Sequence, residues 1–269
     1  MEKKVVIIPD IHGRKFWRDA LPYIEDGTPV VFLGDYLDPY AHEGITPEDA
    51  LENFKEILEA TKEKWNVTLL IGNHDTTYIW PDAHLCECRT DYNNKLEISM
   101  LFNENLNRFM LHRLYTQGDM QFLFTHAGVH DIWLKSVRKE YGLSDDKTVV
   151  EALDILDNAA HNEDTTALSL LGRVSHLRGG WSPIGSCIWA DFDEFMLCPS
   201  GRNTEYTQIV GHTQQLTKIG TENGGFKWVG DKPVYDLVSN IFCLDCHKCF
   251  YIDEEGDVRY LTDNKLAKE

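Results

Sequence analysis

Val5-Val6-Ile7-Ile8-Pro9-Asp10-Ile11-His12-Gly13 is the stretch on which the fold turns. Its first four residues are apolar and β-branched, which predicts a buried strand. The run then stops at a polar Asp-x-His-Gly. The same arrangement recurs downstream. Val30–Leu33 runs into Gly34-Asp35-Tyr36-Leu37-Asp38, and Val67–Ile71 into Gly72-Asn73-His74-Asp75. Phe122–Thr125 runs into His126-Ala127-Gly128, and Thr207–Val210 into Gly211-His212-Thr213. Five predicted strands thus each carry a ligand-type residue just past the C-terminal end. In open α/β sheets that edge is where ligands bind.

The residue types narrow what can bind. Asp10, His12, Asp35, Asn73, His126 and His212 offer oxygen and imidazole donors and no thiolate. That set suits Mn²⁺, Fe or Zn²⁺ at a catalytic site better than a cysteine-based structural zinc. Six such residues exceed what one open catalytic ion needs. A carboxylate shared between two divalent ions accounts for the surplus. Paired ions ~3.5–4 Å apart are a recurring solution for phosphoester hydrolysis.

Composition excludes several classes. With 42% hydrophobic and 26% charged residues, the chain can fill a core as one large domain of 269 residues. A net charge of −18 argues against nucleic acid and anionic membranes as partners, since both call for a basic surface. No apolar run approaches the ~18 residues of a membrane helix. The N-terminal apolar stretch has no cleavage pattern, and the expected compartment is the cytoplasm. Seven cysteines, an odd number, fit reduced thiols. Cys243, Cys246 and Cys249, with Cys86-x-Cys88 as a distant partner, raise a metal hypothesis. Their spacing is not a paired two-plus-two zinc pattern. The simpler reading is a hairpin around the polar turn Asp245–Lys248.

Taken in order, Arg14 to Ile24 reads as a helix with Phe16, Trp17, Ala20, Leu21 and Ile24 on one face. Thr46-Pro47-Glu48-Asp49 is a helix start, with Thr as N-cap and Pro at the first helical position. Leu51, Phe54, Ile57 and Leu58 carry its buried face to about Lys64. Strand, helix, strand, helix, strand implies parallel pairing through right-handed crossovers. Two stretches break the rhythm and read as cap-like insertions. One is 76–118, with a helix from Asn94 to Leu114; the other is 130–186, with helices at 130–140 and 148–161. Beyond residue 226 the short runs Val234–Leu237, Ile241–Leu244, Phe250–Ile252 and Val258–Leu261 suggest a second, mainly antiparallel sheet.

Asp-x-His, Gly-Asp-x-x-Asp, Gly-Asn-His-Asp, His-Ala-Gly and Gly-His-Thr, in this order over residues 5–213, resemble the calcineurin-like metallophosphoesterase superfamily. The branch they resemble most is that of the serine/threonine protein phosphatases and bacterial diadenosine tetraphosphatases, which Trp189-Ala190-Asp191 also resembles. The resemblance implies the metallo-dependent phosphatase fold, an α/β sandwich of two packed mixed sheets flanked by helices. It also implies roles. Asp10, His12 and Asp35 would bind the first metal. Asp35 would bridge to a second, completed by Asn73, His126 and His212. A hydroxide bridging the ions would attack phosphorus in line. His74 would protonate the leaving oxygen, and Asp38 would orient His74. Asp75 reads as a helix cap or structural acceptor.

Three departures accompany the resemblance. The protein phosphatases follow Gly-Asp-x-x-Asp with an Arg that grips phosphate, whereas this chain has Pro39-Tyr40. Arg14 is the nearest cation to the first motif and the candidate replacement; Arg173, Arg178 and Arg202 are further candidates. Gln214 stands where wider superfamily members have a second His on the first metal. Asp245-Cys246-His247 replaces an Asp-Thr-Gly. The expected activity is hydrolysis of a phosphomonoester, phosphoprotein or small molecule. The alternatives are a dinucleoside polyphosphate or diester hydrolase, and a non-catalytic scaffold. Retention of all six ligands and His74 argues against the scaffold.

Overall fold

The computed structural model describes residues 4–83, 85, 88–198, 205–214, 216–220, 226–230 and 232–267. In chain order the elements are β1 (Val5–Ile8), α1 (Leu21–Asp26), β2 (Val30–Phe32), α2 (Pro47–Ala60), β3 (Val67–Leu70), α3 (Thr76–Ile79) and α4 (Lys95–Asn105). Then come β4 (Phe109–Met110), β5 (His112–Gln117), β6 (Met120–Thr125), α5 (Asp131–Glu140), α6 (Val149–His161), α7 (Thr165–Leu171) and α8 (Phe192–Leu197). The chain closes with β7 (Thr207–Val210), the hairpin β8 (Leu216–Gly220) and β9 (Phe226–Gly230), β10 (Val234–Asp236), β11 (Ile241–Cys243), β12 (Phe250–Ile252) and β13 (Val258–Tyr260). No helix among the described residues is long and apolar enough to cross a membrane.

Two mixed sheets result, one ordered β13-β12-β1-β2-β3-β4 and the other β10-β11-β7-β6-β5. β1 to β4 pair in parallel, as do β6, β7 and β11. The remaining strands of these sheets join through antiparallel pairs. Strand periodicity explains the layers. Val5 and Ile7 pack between the sheets with Val31, Phe124, Ile209 and Phe250. Val6 and Ile8, one residue out of phase, pack against the helices with Trp17, Phe54, Ile57 and Phe102. Helices therefore flank both sheets, as expected.

Local signals explain most elements. Thr46 and Asp49 form a reciprocal capping box at α2, and Leu51, Phe54, Ile57 and Leu58 are buried. Thr148 and Glu151 do the same at α6. The helix expected over Arg14–Ile24 is instead a 3₁₀ turn, Phe16–Ala20, followed by α1. Pro22 near the start of α1 has no N–H to give to a continuing ladder. The helix expected from Asn94 to Leu114 ends at Asn105, and His112–Gln117 is a strand paired with β6 across the turn Gly118-Asp119. Gly118 has φ 58°, which suits a two-residue hairpin turn. The C-terminal runs do not form a sheet of their own. β10 and β11 extend one sheet, β12 and β13 the other, so the Asp245–Lys248 turn crosses between sheets.

His161, at the C-terminal end of α6, ties that helix to the β4 segment. Its Nδ1 faces the Asp157 carbonyl at 2.9 Å and the Asp157 carboxylate at 3.3 Å; its Nε2 faces the Phe109 carbonyl at 3.0 Å. Both ring nitrogens meet acceptors, so the imidazolium is favoured. The hydrogen bond to Asp157 outweighs burial and raises its pKa to about 9. A raised folded pKa stabilises fully below the unfolded value near 6.5 and ceases to stabilise as pH rises through about 9. In EDTA, the wild type should therefore exceed His161→Gln in unfolding free energy by about 1–2 kcal/mol more at pH 6 than at pH 9.5, allowing for partial exposure. Urea melts at the two pH values check this; a constant gap would show that the charge contributes nothing.

Candidate active site

The strand ends converge because their backbones are bent sharply. His12, Asp35, Asp38 and His212 all have positive φ, at 44°, 52°, 58° and 64°. Non-glycine residues held there carry strain of about 1–3 kcal/mol each, which surrounding contacts must offset. The His12 N–H donates to the Asp35 carbonyl at 2.7 Å, and the Gly13 N–H to that of Tyr36 at 3.0 Å, lacing the β1 and β2 loops together. Asp75 accepts N–H bonds from Gly72 (2.8 Å), Asp35 (2.9 Å) and Tyr36 (3.1 Å), lacing β3 to β2. It precedes α3 but makes no side-chain cap there. Two glycines leave room for the carboxylates. A Cβ on Gly72 would lie 2.2 Å from Asp35 Oδ1, and one on Gly211 1.9 Å from Asp10 Oδ1.

Six residues then meet in one buried pocket: Asp10, His12, Asp35, Asn73, His126 and His212. His126 Nδ1 donates to the Leu33 carbonyl at 2.7 Å, so its Nε2 is left with a lone pair. That Nε2 faces Asn73 Oδ1 at 3.0 Å, His212 Nδ1 at 3.1 Å and Asp35 Oδ2 at 3.6 Å. His12 repeats the device. Its Nδ1 donates to the Leu37 carbonyl at 2.8 Å, and its Nε2 faces Asp35 Oδ2 at 3.4 Å. Asp35 Oδ2 therefore lies between two imidazole lone pairs, while Asp35 Oδ1 accepts the His74 N–H at 2.9 Å. Both Asp10 oxygens accept from the His212 N–H, at 3.1 and 3.0 Å.

Acceptors facing acceptors in a dry pocket need a cation between them. A proton could serve one pair; a divalent ion serves several donors at once. The protonation states suit the latter. Burial keeps His12 and His212 well below the usual histidine pKa, hence neutral. Burial opposes ionisation of Asp35, but His126, His74 and His12 outweigh it and hold its carboxyl below the usual range. Burial, with Asp35 nearby, raises Asp10 to about 6. The residues fit two ions sharing Asp35. Donor atoms of Asp35, His126 and His212 lie within 4.8 Å of one another, as do those of His12, Asp35 and His74.

His74 stands at the pocket's edge. Its Nδ1 pairs with Asp38 Oδ2 at 3.0 Å, leaving the other ring nitrogen for the pocket. Burial opposes protonation here, but Asp35 and Asp38 outweigh it and raise His74 to about 9. Asp38 is held in turn by the Tyr78 hydroxyl and by the Asp91 N–H at 3.3 Å. Tyr78, which sequence reasoning missed, comes from α3 and is fixed against Phe102 of α4 with ring centroids 6.3 Å apart. The segment around residue 90 thus closes over the His74 side.

Among the described residues, three arginines approach the pocket. Arg14 is only 8% exposed; Nε and Nη2 clasp Glu43 at 2.8–3.1 Å, and Nη1 donates to the Asp10 carbonyl at 3.4 Å. Arg89 donates to the Asp38 carbonyl at 3.1 Å and stacks 3.8 Å from the Tyr40 ring centroid. Arg178 pairs with Asp191 at 2.6 Å and donates to Thr213 Oγ1 at 2.7 Å, beside His212. Arg89 was not singled out from sequence; Arg202 lies outside the described residues. Cys243 donates to the Gly211 and Thr213 carbonyls, and Cys249 to that of Phe16. Among the described residues no group of metal-donor atoms includes a cysteine; Cys86 lies outside them.

None of the curated proteins matches the chain significantly. The solved structures that match the chain include these two. A hypothetical protein from Pyrococcus horikoshii OT3 is 12% identical with a TM-score of 0.38, over 98% of this chain and 87% of that one. A dimetal phosphatase from Danio rerio is 14% identical with a TM-score of 0.39, over 99% of each. The sequence model of the calcineurin-like phosphoesterases matches residues 3–213, a span that contains every strand-end donor described above. On that match the chain belongs to the calcineurin-like phosphoesterase family and is a phosphoester hydrolase.

Proposed function

We propose that the chain hydrolyses a phosphomonoester, protein-borne or small, with two divalent ions, Mn²⁺ being the first to supply in vitro. Asp10, His12 and Asp35 hold the first ion; Asp35, Asn73, His126 and His212 hold the second. The observation that carries this is Asp35 Oδ2 lying 3.4 Å from His12 Nε2 and 3.6 Å from His126 Nε2. Ions bound there supply an activated water and neutralise charge on the phosphoryl oxygens. The chain's own groups do the rest. His74 keeps its proton through Asp35 and Asp38 and delivers it to the leaving oxygen. Asp38 and Tyr78 fix the ring. A monoester dianion suits a pocket that three guanidinium groups approach better than a diester monoanion does.

A substrate panel tests this. With Mn²⁺, p-nitrophenyl phosphate should turn over well ahead of bis-p-nitrophenyl phosphate and diadenosine tetraphosphate. Chelation should abolish turnover and Mn²⁺ restore it. Full activity in protein shown metal-free by elemental analysis would end this reading.

The clamp that replaces the family's arginine is testable too. Arg14 lies on the Asp10 carbonyl and already grips a carboxylate, Glu43, in the forked manner that suits phosphoryl oxygens. Arg14→Ala should lower kcat/KM by about tenfold or more, over 1.4 kcal/mol, with metal content intact. A change under about twofold would remove Arg14 from substrate binding and shift the role to Arg89 or Arg178.

A further inference from the structure

β11 is the parallel neighbour of β7, with Cys243 opposite Val210. That pairing continues past the strands, the Leu244 N–H donating to the Val210 carbonyl at 2.8 Å, and so sets Asp245 beside His212. Each residue sits at the centre of its own three-residue turn, His212 at φ 64° and Asp245 outside the positive-φ region. The Thr213 N–H reaches back to the Gly211 carbonyl at 2.7 Å around His212, and the Cys246 N–H to the Leu244 carbonyl at 2.7 Å around Asp245. A further parallel strand thus delivers a carboxylate past its C-terminal end, as β1, β2, β3, β6 and β7 deliver their donor residues past theirs.

Asp245 is 3% exposed, and its Oδ1 has no hydrogen-bond partner. Other buried acids of this chain are differently placed. Asp75 accepts three backbone N–H bonds, and Asp253 accepts Arg259 and the N–H groups of Glu255 and Asp257. A buried carboxylate oxygen without a donor is costly unless a cation meets it. The charges acting on Asp245 are those of the pocket: Asp10, Arg14, Asp35 and Arg178. Both arginines donate elsewhere, Arg14 to Glu43 and the Asp10 carbonyl, Arg178 to Thr213 and the His212 carbonyl.

We propose that Asp245 is a further carboxylate of the first ion's site. It rests on the two-ion reading above. It also balances that reading, which gives the second ion four protein ligands and the first ion three. Gln214 makes no such contribution: its amide nitrogen lies 3.1 Å from His247 Nε2.

Metal binding rather than activity decides the matter. Purified, chelator-stripped protein is titrated with Mn²⁺, and bound metal is counted by equilibrium dialysis and elemental analysis for wild type, Asp245→Asn and Asp245→Ser. The wild type should bind two ions. Both variants should bind one of them roughly 10–100-fold more weakly and the other unchanged. In EDTA both should melt no lower than wild type, because each removes a buried carboxyl group whose Oδ1 meets no donor in the fold. Two ions bound by both variants with wild-type affinity would overturn the proposal. So would variants that lose their fold in EDTA, since the carboxylate would then be structural. Fewer than two ions on the wild type would overturn the two-ion reading and this proposal with it.

Discussion

His74→Asn should lower kcat for an alkyl phosphate by about 10²–10⁴-fold while leaving bound metal unchanged. The ring is poised for proton delivery, with Asp38 on Nδ1 at 3.0 Å and the raised pKa of about 9 keeping the proton on at neutral pH. An alkoxide leaves poorly without that proton, whereas p-nitrophenolate is already a stable anion. The loss should therefore shrink towards tenfold for p-nitrophenyl phosphate. A general acid works while protonated, so the alkyl-ester rate should fall as pH rises towards about 9; the positive ions pull that limb lower. Asp38→Asn should shift the same limb to lower pH, since the Asp38 carboxylate helps to hold the proton. The site geometry also admits a competing role. A nitrogen of His74 lies within 4.8 Å of donors on His12 and Asp35, close enough to bind an ion. If His74→Asn loses a metal ion, His74 is a ligand and not the acid; an equal loss for alkyl and p-nitrophenyl esters with metal intact would show that His74 only binds or positions the substrate.

What was legible in the sequence is what is local in it. Each strand-end donor sits within a few residues of an apolar run, so a short window contains both the strand and the residue it presents. The family resemblance carried by these same motifs implied the sandwich. Packing partners across long separations left no such trace. Tyr78 reaches Asp38 over 40 positions, and Asp75 accepts from Asp35 over 40 and from Tyr36 over 39. No periodicity announces such pairs; they exist because the β2 and β3 loops are bent against each other.

The errors have physical causes too. Residues 106–117 carry apolar positions that fit either period, and the hairpin turn at Gly118 decided for a strand. α7 was missed although Asp164 caps it, its carboxylate accepting the Ala167 N–H at 2.9 Å. The larger error was to group β10 to β13 as one sheet. Their short runs look alike, and only the pairing of β11 with β7 separates them. That grouping hid Asp245, which reads as a turn residue until β11 is placed beside the strand that carries His212.

Asp35→Asn should abolish turnover and weaken both ions together, an outcome no other single ligand change should give. The substitution keeps the side chain's size and, through its carbonyl oxygen, can keep the acceptor for the His74 N–H, so the loops should stay laced. What it removes is the charge that lies 3.4 Å from His12 Nε2 and 3.6 Å from His126 Nε2. One unit of charge about 4 Å away is worth about 4 kcal/mol at an effective dielectric of 20, and each ion loses at least that attraction. Loss of His12 should weaken the first ion and spare the second; loss of Asn73 should do the reverse. Thermal melts separate this from unfolding. In EDTA, Asp35→Asn should still unfold cooperatively but melt lower than wild type at neutral pH, because burial opposes the Asp35 charge yet the surrounding histidines outweigh it and the fold holds this carboxyl below its usual range. With Mn²⁺ at about a hundred times the wild-type dissociation constant, the wild type gains about 2.7 kcal/mol per site and the variant almost nothing. An Asp35→Asn protein that binds two ions with wild-type affinity, or loses only one, would show that Asp35 does not bridge.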